Sequence, residues 1–253
     1  MILNFTTFIL NIFDNYQKKK VAYILKNIFN NDKIRIIIDV GAHKGETVDY
    51  FSNFFSYDKI YCFEPNPTSF FFLKKYKLSL EENLQFKIEL FNYALGKKKS
   101  KINFYSGNES SSSTVHNINL TSNYYKKKNK YLNPFAQKKK AFNKINVNVN
   151  TLQNFITSKN IKTIDLLKID TEGSEFNIIK GAKDKIKRVK VLYFEHHYDN
   201  MILKKYTFSD INTYLLKKGF FKVFKYKMSF RKVFEYIYVN KALTKNIFYS
   251  NNL

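Results

Sequence analysis

The stretch that decides the fold is "IIIDVGAHKGETV", residues 36–48, in which an apolar run ending in an acid is followed by two glycines. The chain has 253 residues and only seven glycines, so two glycines within five positions indicate that the backbone needs them there. A continuously apolar run is typical of a strand that is buried on both faces of a parallel sheet. Apolar residues recur at helical spacing after Gly45, so the stretch predicts a strand, a glycine turn and a helix.

The same alternation of apolar runs and helical patterns continues along the chain. It predicts four further parallel strands, at residues 59–65, 84–95, 163–170 and 190–198. The chain closes with two strands around a basic turn at residues 229–232, which predict an antiparallel hairpin. We therefore expect an α/β fold, with a doubly wound, mostly parallel seven-stranded sheet and a C-terminal antiparallel hairpin.

Two of the predicted helices lie in the second half of the chain. One covers residues 174–189 and the other residues 208–220. Ser209 or Asp210 is predicted to cap the start of the second helix, because a short oxygen-bearing side chain satisfies the first backbone N–H groups. Gly219 is predicted to end it.

Residues 1–32 are predicted to be an N-terminal helical extension of the main domain, which covers residues 33–253. Its apolar start is shorter than the roughly 20 residues that cross a bilayer. Lysines 18–20 follow this apolar start, whereas a signal peptide carries its positive charge in front. We expect an amphipathic helix that packs on the domain, with peripheral contact to an anionic membrane surface as the alternative. A basic segment at about residues 107–143 is predicted to be an inserted loop.

The composition points to two explanations of the charge. Lys and Arg number 44 against 20 Asp and Glu, a net charge of +24 that favours an acidic partner such as nucleic acid or phospholipid. Abundant Lys, Asn, Ile, Phe and Tyr with scarce Gly, Pro and Trp are also what an AT-rich genome imposes, and we favour this explanation. Cys62 is the only cysteine, which excludes an intramolecular disulfide and fits a reducing cytoplasmic location.

The glycine turn does not match the common phosphate-binding motifs. A dinucleotide site requires G-x-G-x-x-G, whereas Gly41 and Gly45 enclose three other residues, with His43 in the middle. A P-loop requires a lysine after its last glycine, and Lys44 stands before it. The turn therefore disfavours a pyrophosphate ligand and favours a nucleoside without phosphates.

Glu64 is the predicted partner of such a nucleoside. It ends the second predicted strand, close to the spacing of roughly 20 residues at which an acid after the glycine turn binds ribose hydroxyls. A carboxylate accepts two hydrogen bonds from a 2′,3′-diol. The alternatives are a helix cap and a surface acid. Pro65 and Pro67 are predicted to hold the following loop extended.

Charged residues interrupt the otherwise apolar strand at residues 163–170. Lys168 and Asp170 point to the same side, and Glu172 follows at the same period of two. Buried charges need partners. The three residues form either a self-neutralising pair, Lys168 with Asp170 or with Glu172, or a polar cluster that faces a ligand. Glu195, His196 and His197 end the next strand and are expected at the same rim.

The motif D-x-G-x-x-x-G from Asp39 to Gly45, with an acid after the second strand, resembles S-adenosylmethionine-dependent methyltransferases with a Rossmann-like sheet. Four further stretches and a serine cluster before residues 147–152 are similar to the FkbM-type methyltransferase family. The stretches are "YCFEPNP" (61–67), "FNYALG" (91–96), "IDLLKIDTEGSEFNIIKGA" (164–182) and "VLYFEHH" (191–197). The resemblance covers roughly residues 34–200 and departs at His43, where the family usually has asparagine.

The resemblance implies a class I methyltransferase fold with S-adenosyl-L-methionine as the cofactor. It implies that Asp39, Gly41, His43 and Gly45 hold the methionine part of the cofactor and that Glu64 holds the ribose. Asn92 is expected near the adenine, and Asp170 where the sulfonium meets the substrate. The family mainly methylates hydroxyls of sugars, polysaccharide precursors and natural products, which implies a small-molecule or glycan acceptor.

A hydroxyl acceptor needs a base that removes its proton. The predicted catalytic residues are Lys168, Asp170, Glu172, Glu195 and His196, among which the residues alone do not select the base. No metal is predicted. The other functions are a nucleic-acid methyltransferase and a non-catalytic nucleoside-binding module. The first is disfavoured because the strand at residues 163–170 is followed by "TEG" and not by two prolines and an aromatic residue.

Overall fold

The computed structural model describes residues 2–30, 33–106, 119, 121–122, 143–229 and 231–244. Within these ranges an α/β domain follows a long N-terminal helix. The helices are α1 (Ile2–Ile28), α2 (Glu46–Phe54), α3 (Pro67–Ser79), α4 (Glu82–Lys87), α5 (Leu152–Ser158), α6 (Glu175–Gly181) and α7 (Phe208–Lys217), with a 3-10 helix at Lys183–Arg188. The strands are β1 (Ile34–Val40), β2 (Tyr57–Phe63), β3 (Ile88–Phe91), β4 (Ala94–Leu95), β5 (Ser100–Ser106), β6 (Asn143–Asn150), β7 (Ile164–Ile169), β8 (Val189–His197), β9 (Phe220–Lys227) and β10 (Val233–Asn240).

The main sheet has seven strands in the order β3-β2-β1-β7-β8-β10-β9. The first five strands in this order are parallel, and β10 runs antiparallel to both β8 and β9. The predicted mostly parallel sheet with a C-terminal hairpin is therefore confirmed. The strand order reverses between β1 and β7, and in such sheets ligands bind beyond the carboxyl ends of the strands at this reversal.

Helices cover both faces of this sheet, because its central strands are apolar on both sides. One face packs against α1, α2 and α3 through residues such as Leu25, Phe51 and Leu73. The other face packs against α5, α6 and α7, for example through Phe155 and Ile178. These two groups of buried side chains cover both faces of the sheet. A ligand site is therefore expected at the ends of the strands.

The predicted third parallel strand is present, but its predicted bounds of residues 84–95 are wrong. Residues 82–87 form α4, β3 keeps only four residues, and β4 pairs with β6 in a separate three-stranded sheet of order β4-β6-β5. The Leu84 backbone N–H donates to the Glu81 carbonyl oxygen at 3.0 Å. The side-chain amide of Gln85 donates to the Leu80 carbonyl oxygen at 2.8 Å. These local hydrogen bonds stabilise a helical turn that the apolar run in the sequence does not reveal.

The predicted helix at residues 174–189 is likewise not continuous. It is divided into α6 and the 3-10 helix, and Lys183 at the junction has a positive φ of 45°. A non-glycine residue with positive φ departs from regular helix geometry. The break lets the chain enter β8 directly.

The N-terminal helix α1 lies on the face of the sheet that also carries α2. Its Val21 and Leu25 are fully buried, and the Tyr50 hydroxyl donates to the Lys18 carbonyl oxygen at 2.9 Å. Asp14 forms an ion pair with Arg231 of the C-terminal hairpin at 2.9 Å. No helix in the described part of the chain is both long and apolar enough to cross a membrane.

Most of the predicted insertion at about residues 107–143 lies outside the described residues. Asn119 is within them, and its backbone N–H donates to the Met201 carbonyl oxygen at 2.7 Å. This contact places one point of the insertion beside the loop that follows β8.

The cap of α7 differs from both predicted residues. Thr207 is the N-cap, its hydroxyl accepts from the Asp210 N–H, and the Asp210 carboxylate accepts from the Thr207 N–H in return. Ser209 is an exposed residue inside the first turn. Sequence alone does not separate these positions, because three capping residues lie within four.

Thr207→Ala should lower the free energy of unfolding by about 1 kcal/mol, because the α7 cap loses its side-chain acceptor. Ser209→Ala is the matched control and should change it by less than about 0.5 kcal/mol. Urea unfolding followed by circular dichroism measures both. Equal losses in the two variants would contradict the cap assignment.

Candidate active site

The glycine turn after β1 lies against the end of β7. Gly41 has a φ of +91°, and a Cβ atom at this position would stand 1.8 Å from the Asp170 carbonyl oxygen. Gly45 has a φ of +110°, and its Cβ atom would stand 2.5 Å from Cδ1 of Tyr76 in α3. The two glycines are therefore required by close approach of the protein's own strand end and helix, as well as by their backbone angles. The turn sits where the sheet reverses.

Glu64 clamps this turn to the end of β2. Its Oε2 accepts from the His43 N–H at 2.9 Å and its Oε1 accepts from the Asn66 N–H at 2.8 Å. Only 6% of its surface is exposed, and this burial raises the pKa of Glu64 to about 7. Asn66 caps α3 by accepting from the Thr68 N–H. Glu64 is thus neither the helix cap nor a surface acid, the two alternatives left by the sequence.

Asn92 follows β3 and joins Glu64 at the same rim. Its side-chain amide donates to the carbonyl oxygens of Glu64 at 2.8 Å and of Pro65 at 3.3 Å. This bridge ties the ends of β2 and β3 together. Asp39 lies near the end of β1, and Glu64 and Asn92 follow β2 and β3, so the three residues stand at the ends of three adjacent strands, as their order in the sequence predicts.

A buried charge cluster lies next to the turn, with Lys168 at its centre. The Lys168 Nζ is 3.6 Å from Oδ1 of Asp39, 3.4 Å from Oδ2 of Asp170 and 3.0 Å from the Thr47 hydroxyl. Burial alone would lower the pKa of Lys168, but Asp39 and Asp170 hold it above its ordinary value. Burial raises the pKa of Asp39 to about 6, against the attraction of Lys168. The predicted pair with Asp170 is present, and Asp39 is a partner that the sequence did not identify.

Further carboxylates face the same side of the sheet on β8 and β10. Glu195 lies opposite Glu235 in the strand register, and the Tyr193 hydroxyl donates to Oε1 of Glu235 at 2.6 Å. Burial and the neighbouring carboxylates raise the pKa values of Glu195 and Glu235. Gln17 of α1 partly offsets this for Glu235 through a hydrogen bond. Glu235 was missed, although an acid inside the apolar run "VFEYIYV" is a signal that the sequence contains.

His197 connects the loops after β7 and β8. Its Nε2 is 3.1 Å from Oε2 of Glu172, and its Nδ1 is 3.2 Å from Oδ2 of Asp199. Burial alone would lower the pKa of His197, but Glu172, Asp199 and Glu195 raise it to about 9. The imidazole is therefore protonated at neutral pH. It holds Glu172, whose φ is 49°, at the end of β7.

His196 lies on the opposite face of the sheet from the cluster. Its ring packs 4.9 Å from the Tyr198 ring, 6.0 Å from the Tyr206 ring and 5.8 Å from the Phe208 ring, measured between centroids. Burial lowers the pKa of His196 to about 3, so the ring is neutral. Successive residues of a strand point to opposite faces, which separates the two histidines. The structure thus brings His197 to Glu172 and does not bring His196 to Asp170.

Glu175 shapes the loop between β7 and α6. Its Oε1 accepts from the backbone N–H groups of Thr171 at 3.3 Å and of Gly173 at 2.9 Å, and its Oε2 accepts from the Tyr206 hydroxyl at 2.6 Å. Glu175 lies within the motif at residues 164–182, but its sequence position alone indicates no role. Among the described residues, no group of three or more His, Cys, Asp or Glu side chains is arranged to hold a metal ion.

The two neighbouring histidines should have opposite effects on stability as pH changes. The folded-state pKa of His197 is raised from 6.5 to about 9, so its stabilisation is fully present below pH 6.5 and is lost as pH rises through 9. Wild type should therefore exceed His197→Gln by up to about 3 kcal/mol of unfolding free energy at pH 6, and the excess should vanish by about pH 10. The folded-state pKa of His196 is lowered, so wild type should lose stability relative to His196→Gln as pH falls below 6.5. Urea unfolding between pH 5 and about pH 10 tests both signs, and parallel pH trends in the two variants would contradict the arrangement.

Comparisons with known proteins agree with this fold. A family model described as "Methyltransferase FkbM domain" matches residues 39–222. The chain is 22% identical over 161 residues to the 2-O-methyltransferase NoeI of Sinorhizobium fredii (strain NBRC 101917 / NGR234). The alignment covers 64% of this chain and 63% of that relative. It therefore spans less than two thirds of the length of this relative.

Two solved structures share the fold. Methyltransferase FkbM from Methylobacillus flagellatus KT superposes with a TM-score of 0.52 and 15% identity, over 81% of this chain and 43% of that one. Magnesium protoporphyrin IX methyltransferase (ChlM) from Synechocystis PCC 6803, solved with bound SAM, gives a TM-score of 0.50 and 8% identity over 90% and 80% of the two chains. The family match spans more than half of the sequence, and the chain belongs to the FkbM family of S-adenosylmethionine-dependent methyltransferases.

Proposed function

We propose that this protein transfers a methyl group from S-adenosylmethionine to a hydroxyl group of a sugar or a related small molecule. The observation that carries the proposal is the position of the Lys168 cluster. Lys168 pairs with Asp170, whose carbonyl oxygen lies against Gly41 of the glycine turn, at the point where the sheet order reverses. A carboxylate for the acceptor then stands next to the residues that suit the cofactor.

The residues at the turn fit the cofactor. Each oxygen of the Glu64 carboxylate has one backbone donor and keeps a second lone pair, which suits the two hydroxyls of a ribose. Asp39, Gly41, His43 and Gly45 would hold the methionine part, and Asn92 lies at the rim where the adenine would bind. The bound cofactor supplies an activated methyl group on a sulfonium, which is an excellent leaving group.

Asp170 is the proposed base for the acceptor hydroxyl. Its side chain is 35% exposed, whereas the side chain of Asp39 is fully buried. Glu172 is held by protonated His197, and His196 lies on the other face of the sheet. The Lys168 Nζ lies 3.4 Å from Oδ2 of Asp170. Glu195 lies on β8, and burial and the neighbouring carboxylates raise its pKa, so it is proposed to contribute less than Asp170.

Alignment of the acceptor with the methyl group is expected to provide most of the acceleration, because the reaction is an in-line displacement. The loops at Glu172 and Glu175 are fixed by hydrogen bonds and ion pairs, so they form a preorganised wall at this site. The named activity of NoeI, a 2-O-methyltransferase, supports a hydroxyl acceptor. The specific sugar is not part of the proposal.

S-adenosylhomocysteine affinity should depend on the ionisation of Glu64. Ribose hydroxyls donate to the ionised carboxylate, whose pKa is about 7 in the free protein, so affinity should fall about tenfold from pH 8 to pH 6. Glu64→Gln should weaken binding at least tenfold at pH 8, about 1.4 kcal/mol, and remove most of the pH dependence. The control Glu82→Gln, an exposed residue of α4, should bind like wild type at both pH values. Calorimetric titration measures all three proteins, and no binding by wild type would reject the proposed function.

Asp170→Asn should separate cofactor binding from transfer. With an acceptor found by screening a panel of sugars for release of S-adenosylhomocysteine, kcat should fall at least a hundredfold, the usual contribution of a general base. Affinity for S-adenosylhomocysteine should change by less than about threefold, under 1 kcal/mol. Glu195→Gln should lower kcat less than Asp170→Asn does. Unchanged turnover in Asp170→Asn would assign the base to another residue.

A further inference from the structure

Helix α3 directs apolar side chains away from the protein. Phe71 is 53% exposed, Phe72 44% and Leu78 69%. Ser69 and Leu73 are fully buried and define the inner side of the helix. Residues three or four positions apart share a helix face, so Phe71, Lys75 and Leu78 lie together on the outer side. We call the set of Phe71, Phe72, Lys74, Lys75 and Leu78 the outer α3 face.

Lysines surround the aromatic rings of the outer α3 face. The Lys75 Nζ lies 4.7 Å from the ring centroid of Phe71, and the Lys44 Nζ lies 5.3 Å from that of Phe72. Helix α3 contains no acidic residue, whereas it carries Lys74, Lys75 and Lys77. The face therefore combines exposed apolar surface with positive charge.

The outer α3 face is fixed relative to the glycine turn. On the inner side of the same helix, Tyr76 packs beside Gly45 and its hydroxyl donates to Oδ1 of Asp49 at 3.2 Å. At its start α3 is capped by Asn66, which also donates its backbone N–H to Glu64. Any surface that α3 meets is consequently held beside the entrance to the cofactor site.

We propose that the outer α3 face docks on a bilayer surface that contains anionic phospholipids. Phe71, Phe72 and Leu78 enter the headgroup region, while Lys44, Lys74 and Lys75 meet the phosphates. Aromatic and aliphatic side chains flanked by lysines suit this interface, because lysine stems lie along apolar surface and their ammonium groups reach the anionic headgroups. The net charge of +24 adds attraction over a longer range.

The same features argue against other occupants of this face. Protein interfaces are depleted in lysine at their centres, whereas here Lys74 and Lys75 stand between Phe72 and Leu78. Bases of single-stranded nucleic acid stack on the faces of aromatic rings. The Phe71 and Phe72 rings meet edge to face at 74°, and each has a lysine over a ring face. Docking does not depend on the proposed methyl transfer.

A single introduced tryptophan tests insertion directly, because the chain contains no tryptophan. Phe71→Trp should show a blue shift of its emission with vesicles of equal parts phosphatidylcholine and phosphatidylglycerol, and brominated lipid should quench it. Vesicles of phosphatidylcholine alone should give a much smaller change. Leu216→Trp, at a position 53% exposed on α7, is the matched control and should respond to neither kind of vesicle.

Sedimentation with vesicles tests the contribution of the face to binding. Phe71→Ser combined with Phe72→Ser should reduce the partition coefficient at least tenfold, and Leu216→Ser should leave it unchanged. Lys74→Gln combined with Lys75→Gln should reduce the preference for phosphatidylglycerol. Circular dichroism and thermal unfolding establish that each variant is folded before its binding is compared.

The proposal is overturned if the wild type does not sediment with the anionic vesicles. It is also overturned if binding survives the double serine substitution, which would assign it to another surface such as α1. If the apparent mass in sedimentation equilibrium rises with protein concentration, and the double serine variant stays monomeric, the face would be assigned to a second copy of the chain instead. Binding to single-stranded RNA that the same variant loses, without vesicle binding, would assign the face to nucleic acid.

Discussion

The end of β7 and the glycine turn after β1 meet so closely that no side chain fits between them. The Asp170 carbonyl oxygen occupies the space that a Cβ atom of Gly41 would need, and the Asp170 N–H donates to the Val40 carbonyl oxygen at 2.9 Å. This junction sets Asp39 beside Lys168 in the strand register. The glycine turn, the buried lysine and the exposed carboxylate of Asp170 all take their positions from it.

The carboxylates around Lys168 differ in their burial and therefore in their pKa values. Asp39 is buried and its pKa is raised, whereas Asp170 reaches solvent at the mouth of the site. On the far side, Glu195 and Glu235 face each other across an antiparallel pair with raised pKa values. One buried lysine faces several carboxylates, so burial and mutual repulsion raise the pKa values of Asp39, Glu195 and Glu235 and disfavour their charged forms.

The loops beyond the strands are held by side chains from neighbouring elements. His197 joins the β7 loop to the β8 loop through Glu172 and Asp199, and Glu175 accepts from the N–H groups of Thr171 and Gly173. These contacts give the rim a fixed shape. On the other side of the turn, α3 joins the glycine turn to an exposed basic and aromatic surface.

Local patterns in the sequence determined the strand–turn–helix units, the parallel sheet with its terminal hairpin, and the acids at the strand ends, because burial on two faces and turn chemistry leave marks over a few residues. Only the tertiary structure decided which charges meet. The Asp39–Lys168 pair and the Glu195–Glu235 pair depend on strand order and register across distant segments. His196 and His197 differ by one position, and only the packing of each face of β8 identifies which histidine reaches Glu172. The wrong bounds at residues 84–95 also depend on the tertiary structure, since residues 82–87 bury no side chain and form a helix with hydrogen bonds to Glu81 and Leu80, whereas β3 pairs with β2.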